Sequence, residues 1–117
     1  MATSVAIAFV AILHMLFMVL EMFFWTRPLG RRIFGLSSEL ARQTSGLAAN
    51  QGLYNGFLAA GLIWGLLSSQ HAVAISVFFL SCVIVAGVFG AITVKRSILF
   101  IQALPGAIAL AMVLISG

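Results

Sequence analysis

Apolar segments alternate with short polar connections along the chain, and the apolar segments lie at residues 3–25, 47–67, 72–94 and 97–115. Each is about 20 residues long, the length that a helix needs to cross the hydrocarbon core of a bilayer. Backbone hydrogen bonds must be satisfied inside such a segment, which favours helices. The pattern therefore predicts an all-α fold, an integral membrane four-helix bundle in one domain covering residues 1–117.

The connection between the first two segments, residues 26–45, is long and basic. Pro28 and Gly30 are expected to end the first helix. Ser37 is suited to cap a further helical stretch that continues into the second span, with Glu39 in its first turn. This connection holds four of the six basic residues, Arg27, Arg31, Arg32 and Arg42.

The distribution of positive charge predicts the orientation in the membrane. The second connection has no lysine or arginine, and the third has two, Lys95 and Arg96. Because short cytoplasmic loops are enriched in these residues, both basic connections are expected in the cytoplasm. The sequence thus predicts a multi-pass protein of the cell (inner) membrane with both termini outside the cytoplasm.

Composition supports a membrane protein, because 63% of the residues are apolar and only 7% are charged, against about 25% charged in soluble domains. The basic residues lie beside the predicted spans, so we expect contacts with the lipid bilayer and not with nucleic acid. Cys82 is the single cysteine, which excludes an internal disulfide and a multi-cysteine metal site. The sequence contains no aspartate and no known catalytic motif, so it specifies neither a reaction nor a cofactor.

The second span begins with a polar face. Asn50, Gln51, Tyr54 and Asn55 fall within an arc of about 140° on a helix. An unpaired amide facing hydrocarbon costs several kcal/mol, so this face should contact other helices or a water-filled cavity. We therefore expect it to line a polar pocket.

Polar groups of three predicted spans lie at similar depth. At about 1.5 Å per residue, Glu21, Asn50 and Gln51 each lie about 10 Å to the cytoplasmic side of the middle of their spans. Gln102 lies about 7 Å to the same side of its own midpoint. The sequence therefore predicts a cluster in the cytoplasmic half of the bundle that binds a small amphipathic molecule or a lipid.

Glu21 is the most informative single residue, because carboxylates inside membrane spans are rare and often functional. Two interpretations stay open: a structural role, hydrogen-bonded to the second span or paired with an arginine, and a direct role with a ligand or proton. His14 lies about 10 Å from Glu21 along the same helix. The two are not expected to share a metal, so no metal site is predicted; packing is favoured over a relay or ligand role for His14.

Small residues recur four apart in the second span, as Gly52 with Gly56 and Gly61 with Gly65. Such pairs let helices approach closely. Packing within the chain is favoured, and contact between copies in a homo-oligomer is the alternative.

Several motifs together resemble the bacterial small membrane proteins classed as domain of unknown function 1304. They are His14, residues 21–25 (EMFFW), residues 34–36 (FGL), residues 49–61 (ANQGLYNGFLAAG) and residues 102–105 (QALP). The resemblance covers nearly the whole chain. It implies a membrane architecture and no particular chemistry.

Two other families share general features. Small multidrug transporters resemble the chain in length, in four spans and in a glutamate in the first, which they use for proton-coupled export. The membrane-associated eicosanoid and glutathione (MAPEG) family is similar in its four spans, basic first loop and early asparagine in the second span. Its arginine four residues before that asparagine would fall on Gly46. A glutathione-transferase-like enzyme and a small exporter using Glu21 are thus alternatives to the binding protein.

Overall fold

The computed structural model describes residues 1–116, and every regular element in that range is helical. The elements are α1 (Ala2–Phe23), α2 (Pro28–Phe34), α3 (Ser38–Leu67), α4 (Ala72–Thr93), a π-helical turn (Leu99–Ala103) and α5 (Leu104–Ser116). The all-helical class is therefore confirmed. The predicted domain also includes Gly117, which lies outside the described residues.

Within residues 1–116, three helical segments are long and apolar enough to cross a membrane: Ala2–Phe23, Ala72–Thr93 and Leu99–Ser116. They coincide with the first, third and fourth predicted spans to within two residues. The second predicted span lies inside α3, which is 30 residues long but has charged and amide side chains in its first half. The structure thus supports a membrane protein with three apolar helices.

The start of α3 follows from local chemistry. Gly35 ends α2 in the left-handed region at φ 66°, which glycine adopts without the steric penalty of a β-carbon. The hydroxyl of Ser37 then accepts a hydrogen bond from the backbone N–H of Leu40 at 3.1 Å. This is the N-cap predicted from the sequence. The predicted continuation into the second segment is confirmed, because α3 is unbroken to Leu67.

The chain forms two compact units, and the first, here the apolar unit, contains residues 1–12 and the chain from residue 58 onward. Its core is a cluster of buried apolar side chains, and Ser76 is also buried in this unit. Leu62, Leu80 and Val83 are completely buried in it. Inside a bilayer this core is held by close packing, since lipid tails are as apolar as the side chains.

Glycines bring the helices of the apolar unit together. A β-carbon at Gly61 would collide with the ring of Phe79. A β-carbon at Gly87 would lie 2.7 Å from the backbone nitrogen of Ala103, in the π-helical turn. The sequence predicts a bend near Pro105, and the structure has the π-helical turn, Leu99–Ala103, ending two residues before it. The irregular turn accommodates a residue that cannot donate to the preceding carbonyl.

The second unit, here the loop unit, contains residues 13–57. Gly30 of α2 is buried against the backbone carbonyl of Phe24, where a β-carbon would not fit. The indole N–H of Trp25 donates a hydrogen bond to the hydroxyl oxygen of Thr44, with nitrogen and oxygen 3.0 Å apart. The ring centroids of Trp25 and Phe34 are 4.8 Å apart. These contacts fix the basic connection between α1 and α3.

Candidate functional site

The candidate site lies in the loop unit, where the end of α1 packs on the first half of α3. Gly52 and Gly56 face α1. A β-carbon at Gly52 would lie 2.7 Å from Cγ of Met22, and one at Gly56 would lie 2.8 Å from the sulfur of Met18. Packing within the chain is thus observed for this glycine pair, and it allows short polar groups of the two helices to meet.

The carboxyl group of Glu21 is the centre of the site. One oxygen accepts a hydrogen bond from Nε2 of Gln51 at 2.8 Å, and the other accepts one from Nδ2 of Asn55 at 2.6 Å. Glu21 is 5% exposed and Asn55 is 8% exposed. The predicted contact between Glu21 and an amide of the second span is therefore present. Amides that hydrogen-bond a carboxyl group do not have to face lipid.

The hydrogen-bond partners of Glu21 within residues 13–57 are neutral amides. Within residues 13–57 the only ion pair joins Arg42 to Glu39 at 3.5 Å, on the exposed start of α3. Pairing of Glu21 with an arginine, which the sequence left open, is not observed in this unit. A carboxylate has about four acceptor positions, and the two amides use two of them. The remaining capacity can accept further hydrogen bonds from a ligand or from water.

The predicted polar arc of α3 divides into two halves. Gln51 and Asn55 face Glu21, while Asn50 and Tyr54 are exposed. The ring of Tyr54 is 56% exposed and packs edge-on against Phe57 at 5.9 Å. Neither Asn50 nor Tyr54 makes a side-chain hydrogen bond to Glu21 within the described unit. They therefore belong to the surface of the helix beside the carboxyl group.

His14 and Gln102, two further residues of the predicted site, lie in α1 and in the π-helical turn. His14 is completely buried, and its ring lies edge-on to Phe17 at 5.4 Å, two helical turns before Glu21. Gln102 is half-buried and belongs to the π-helical turn of the apolar unit. Its membership of the cluster stays a prediction. Among residues 1–116, no three His, Cys, Asp or Glu side chains lie together in a way that could hold a metal ion.

Two parts of the loop unit were missed by the sequence argument. Met18 and Met22 form the surface on which Gly52 and Gly56 lie, a role that the sequence analysis does not assign to them. The hydrogen bond from Trp25 to Thr44 was not anticipated. A signal existed for the first, since Met18, Met22 and Glu21 lie three or four residues apart and so share one helix face. No local signal pairs residues 25 and 44.

Chemically, the site holds a carboxyl group and two amides. Such a group can bind a hydrogen-bond donor or a cation, or can exchange a proton. Among the described residues of the loop unit, no hydroxyl or thiol is hydrogen-bonded to Glu21.

Comparison with known proteins gives a family but no activity. The family model described as "Protein of unknown function (DUF1304)" matches residues 8–114. The chain is similar to "Uncharacterized protein YpaA" of Lactococcus lactis subsp. lactis (strain IL1403), with 30% identity over 87 residues, 73% of each chain. No solved structure matches. Because the family model covers most of the chain, including Glu21, Gln51 and Asn55, the protein belongs to the DUF1304 family of proteins of unknown function.

Proposed function

We propose that this protein spans the cell membrane four times and binds a small amphipathic molecule whose polar headgroup contacts Glu21, Gln51 and Asn55. The observation that carries the proposal is the position of Glu21. It is buried in an apolar helix, and within residues 13–57 its carboxyl group accepts hydrogen bonds from two neutral amides. Carboxyl groups within membrane helices are costly, and by default they indicate binding or transport.

The proposal includes α3 as the fourth span. Its 30 residues extend about 45 Å at about 1.5 Å per residue, more than the thickness of the hydrocarbon core. Gln51 and Asn55 lower the average hydropathy of this helix. Because both donate hydrogen bonds to Glu21, they do not present unpaired amides to lipid. The hydropathy of the helix alone therefore underestimates its compatibility with a bilayer.

The orientation places the basic connections in the cytoplasm and both termini outside. Fusion of alkaline phosphatase to the C-terminus tests this directly, and we expect an active enzyme. Fluorescence of a green fluorescent protein fused at the same position would contradict the proposed topology.

A homo-oligomer stays a prediction. Gly52 and Gly56, one of the two glycine pairs that could form its interface, already pack within the chain.

The neutral hydrogen-bond partners of Glu21 favour a ligand with a cationic or hydrogen-bond-donating headgroup. Gln51 is exposed and connects the carboxyl group to the surface of the helix. Tyr54 and Phe57, which lie three and six residues further along α3, are more than half exposed. Aromatic faces can contact an apolar chain and can also attract a cation by a cation–π interaction. This combination suits an amphipathic amine better than an anion.

Dodecylammonium and dodecanol, which have the same chain and different headgroups, provide the test. We expect dodecylammonium to raise the melting temperature of the protein in nanodiscs in a saturable way, since a ligand that binds the folded state stabilises it. Dodecanol should give a smaller effect. Glu21→Gln keeps the size of the side chain and should abolish the difference between the two compounds.

Glu39→Gln is the matched control, because Glu39 is the other acidic residue of the chain and is exposed. It should respond to dodecylammonium like the wild type. An equal response in Glu21→Gln and the wild type would refute the proposed headgroup site.

A proton-coupled exporter is the second candidate, and the same buried carboxyl group favours it. Exchange requires the probe and a proton to compete for Glu21. Dodecylammonium binding in weakly buffered solution would then release protons, and Glu21→Gln would release none.

For the enzyme alternative the geometry adds no support, because exposed Gly46 stands where the MAPEG family has its arginine.

A further inference from the structure

Helix α2 has both buried and exposed positions. Gly30 is buried against the backbone of Phe24. Leu29 and Ile33, one helical turn apart, are in contrast each 51% exposed. Such an exposed apolar pair has no partner within the loop unit. On a short helix that directly follows a membrane span, it indicates contact with another apolar medium.

Two exposed arginines lie close in sequence to this apolar pair. Arg27 and Arg32 are exposed, and the Nε atom of Arg31 is shielded and has no hydrogen-bond partner within the described chain. The fourth arginine of the connection differs, because Arg42 pairs with Glu39. Arg27 and Arg32 therefore lie within three residues of Leu29, and neither forms an ion pair with a carboxylate within residues 1–116. Arg31 is two residues from both Leu29 and Ile33, so it does not share their face of α2. A guanidinium group matches the geometry of phosphate oxygens.

The position of α2 is fixed before any lipid binds. Phe34, at its end, contacts the ring of Trp25, and Trp25 is hydrogen-bonded to Thr44 of α3. Gly30 leaves no space between α2 and the end of α1. Only four residues separate α1 from α2, so α2 must lie at the membrane surface where the first span ends.

We propose that α2 lies in the headgroup layer of the cytoplasmic leaflet, with Leu29 and Ile33 among the acyl chains and Arg27 and Arg32 bound to anionic phospholipid headgroups. The apolar pair and the arginines fit a bilayer surface, because acyl chains and anionic headgroups are both present there. This site is separate from Glu21 and goes beyond the proposed ligand site. It does not depend on the outcome of the dodecylammonium experiment.

Depth measurement tests the position of the apolar pair. A nitroxide is attached to Leu29→Cys in a Cys82→Ala background, and accessibility to oxygen and to a water-soluble nickel chelate is measured in nanodiscs. With phosphatidylglycerol present, we expect the label to be accessible to oxygen and protected from nickel. A label at Gln43→Cys, an exposed position in the first turns of α3, should stay accessible to nickel. Full nickel access at position 29 would overturn the proposal.

Competition between lipids tests the role of the arginines. Protein released from nanodiscs of phosphatidylcholine and phosphatidylglycerol is analysed by native mass spectrometry for the ratio of the two retained lipids. Each arginine near an anionic surface contributes about 1 kcal/mol, which is about fivefold in binding. Arg27→Gln and Arg32→Gln should each reduce the preference for phosphatidylglycerol by about that factor.

Arg42→Gln is the control, since Arg42 is already paired, and it should leave the lipid preference unchanged. Glu21→Gln should also leave it unchanged, which separates this site from the ligand site. Equal loss in Arg42→Gln and Arg32→Gln would show a general effect of net charge and would overturn the proposed headgroup site.

Discussion

Different interactions stabilise the interior of each of the two units of this chain. The apolar unit has a core of aliphatic side chains and closely packed glycines. In the loop unit, side-chain hydrogen bonds join different segments. Glu21 accepts from two amides, and Trp25 donates to Thr44. In a bilayer the hydrophobic effect does not drive apolar side chains together, because lipid tails are equally apolar. The packing of the first unit therefore depends on complementary shapes. In the second unit, the cost of an unpaired polar group decides which residues meet.

The comparison predicts the largest loss of stability from a cavity in the apolar unit. Leu80 is completely buried, and Leu80→Ala should lower the free energy of unfolding by about 2 to 5 kcal/mol. Unfolding in mixed detergent micelles, followed by circular dichroism, measures the change. Phe78→Ala is the control, because Phe78 is 62% exposed. Equal losses in both variants would mean that packing does not stabilise this unit.

In the loop unit, removal of the central acceptor should have the next largest effect. Glu21→Leu leaves the amides of Gln51 and Asn55 without their acceptor and should cost about 1 to 3 kcal/mol. Glu21→Gln retains a carbonyl oxygen as acceptor and should stay close to the wild type in the same unfolding assay. A Glu21→Leu protein as stable as its parent would remove the basis for a polar site at this position.

In α3, a substitution where the helix packs closely on α1 should lower stability more than a substitution at an exposed position. Gly52→Ala places a β-carbon 2.7 Å from Met22 and 3.1 Å from Glu21, so we expect a loss of about 1 to 2 kcal/mol from overpacking. Gly46→Ala meets open space. It should be neutral or stabilising, because alanine favours a helix by about 1 kcal/mol over glycine. Thermal unfolding of the two variants side by side would reveal a misplaced interface if their order were reversed.

The smallest effect is expected at the edge of the loop unit. Thr44→Val removes the acceptor for the indole N–H of Trp25 and should cost about 0.5 to 1 kcal/mol. Thr93→Val provides the comparison, since the hydroxyl of Thr93 only donates to the carbonyl of Phe89 in its own helix. The emission of Trp25 should change in Thr44→Val alone, with Trp64→Phe as background. An unchanged spectrum would argue against the tertiary hydrogen bond.

Much of the local structure could be predicted from the sequence. Apolar segments of about 20 residues predict spanning helices, and α1, α4 and the last helical segment agree with this to within two residues. Ser37 was correctly identified as a cap because its hydroxyl acts on a neighbouring backbone N–H. The contact of Glu21 with an amide followed from the cost of an unpaired carboxyl group in a membrane. All of these depend on neighbouring residues or on the solvent.

The tertiary structure alone decided which half of the polar arc faces α1. The sequence places Asn50, Gln51, Tyr54 and Asn55 on one side of a helix, but it does not give the rotation of that helix about its axis. Gly52 and Gly56 set the rotation by packing on the methionines of α1, so Gln51 and Asn55 reach Glu21 while Asn50 and Tyr54 are exposed. This contact joins residues about 30 positions apart. The periodicity of a helix determines which of its residues share a face, whereas the shape of its neighbour determines which face is buried.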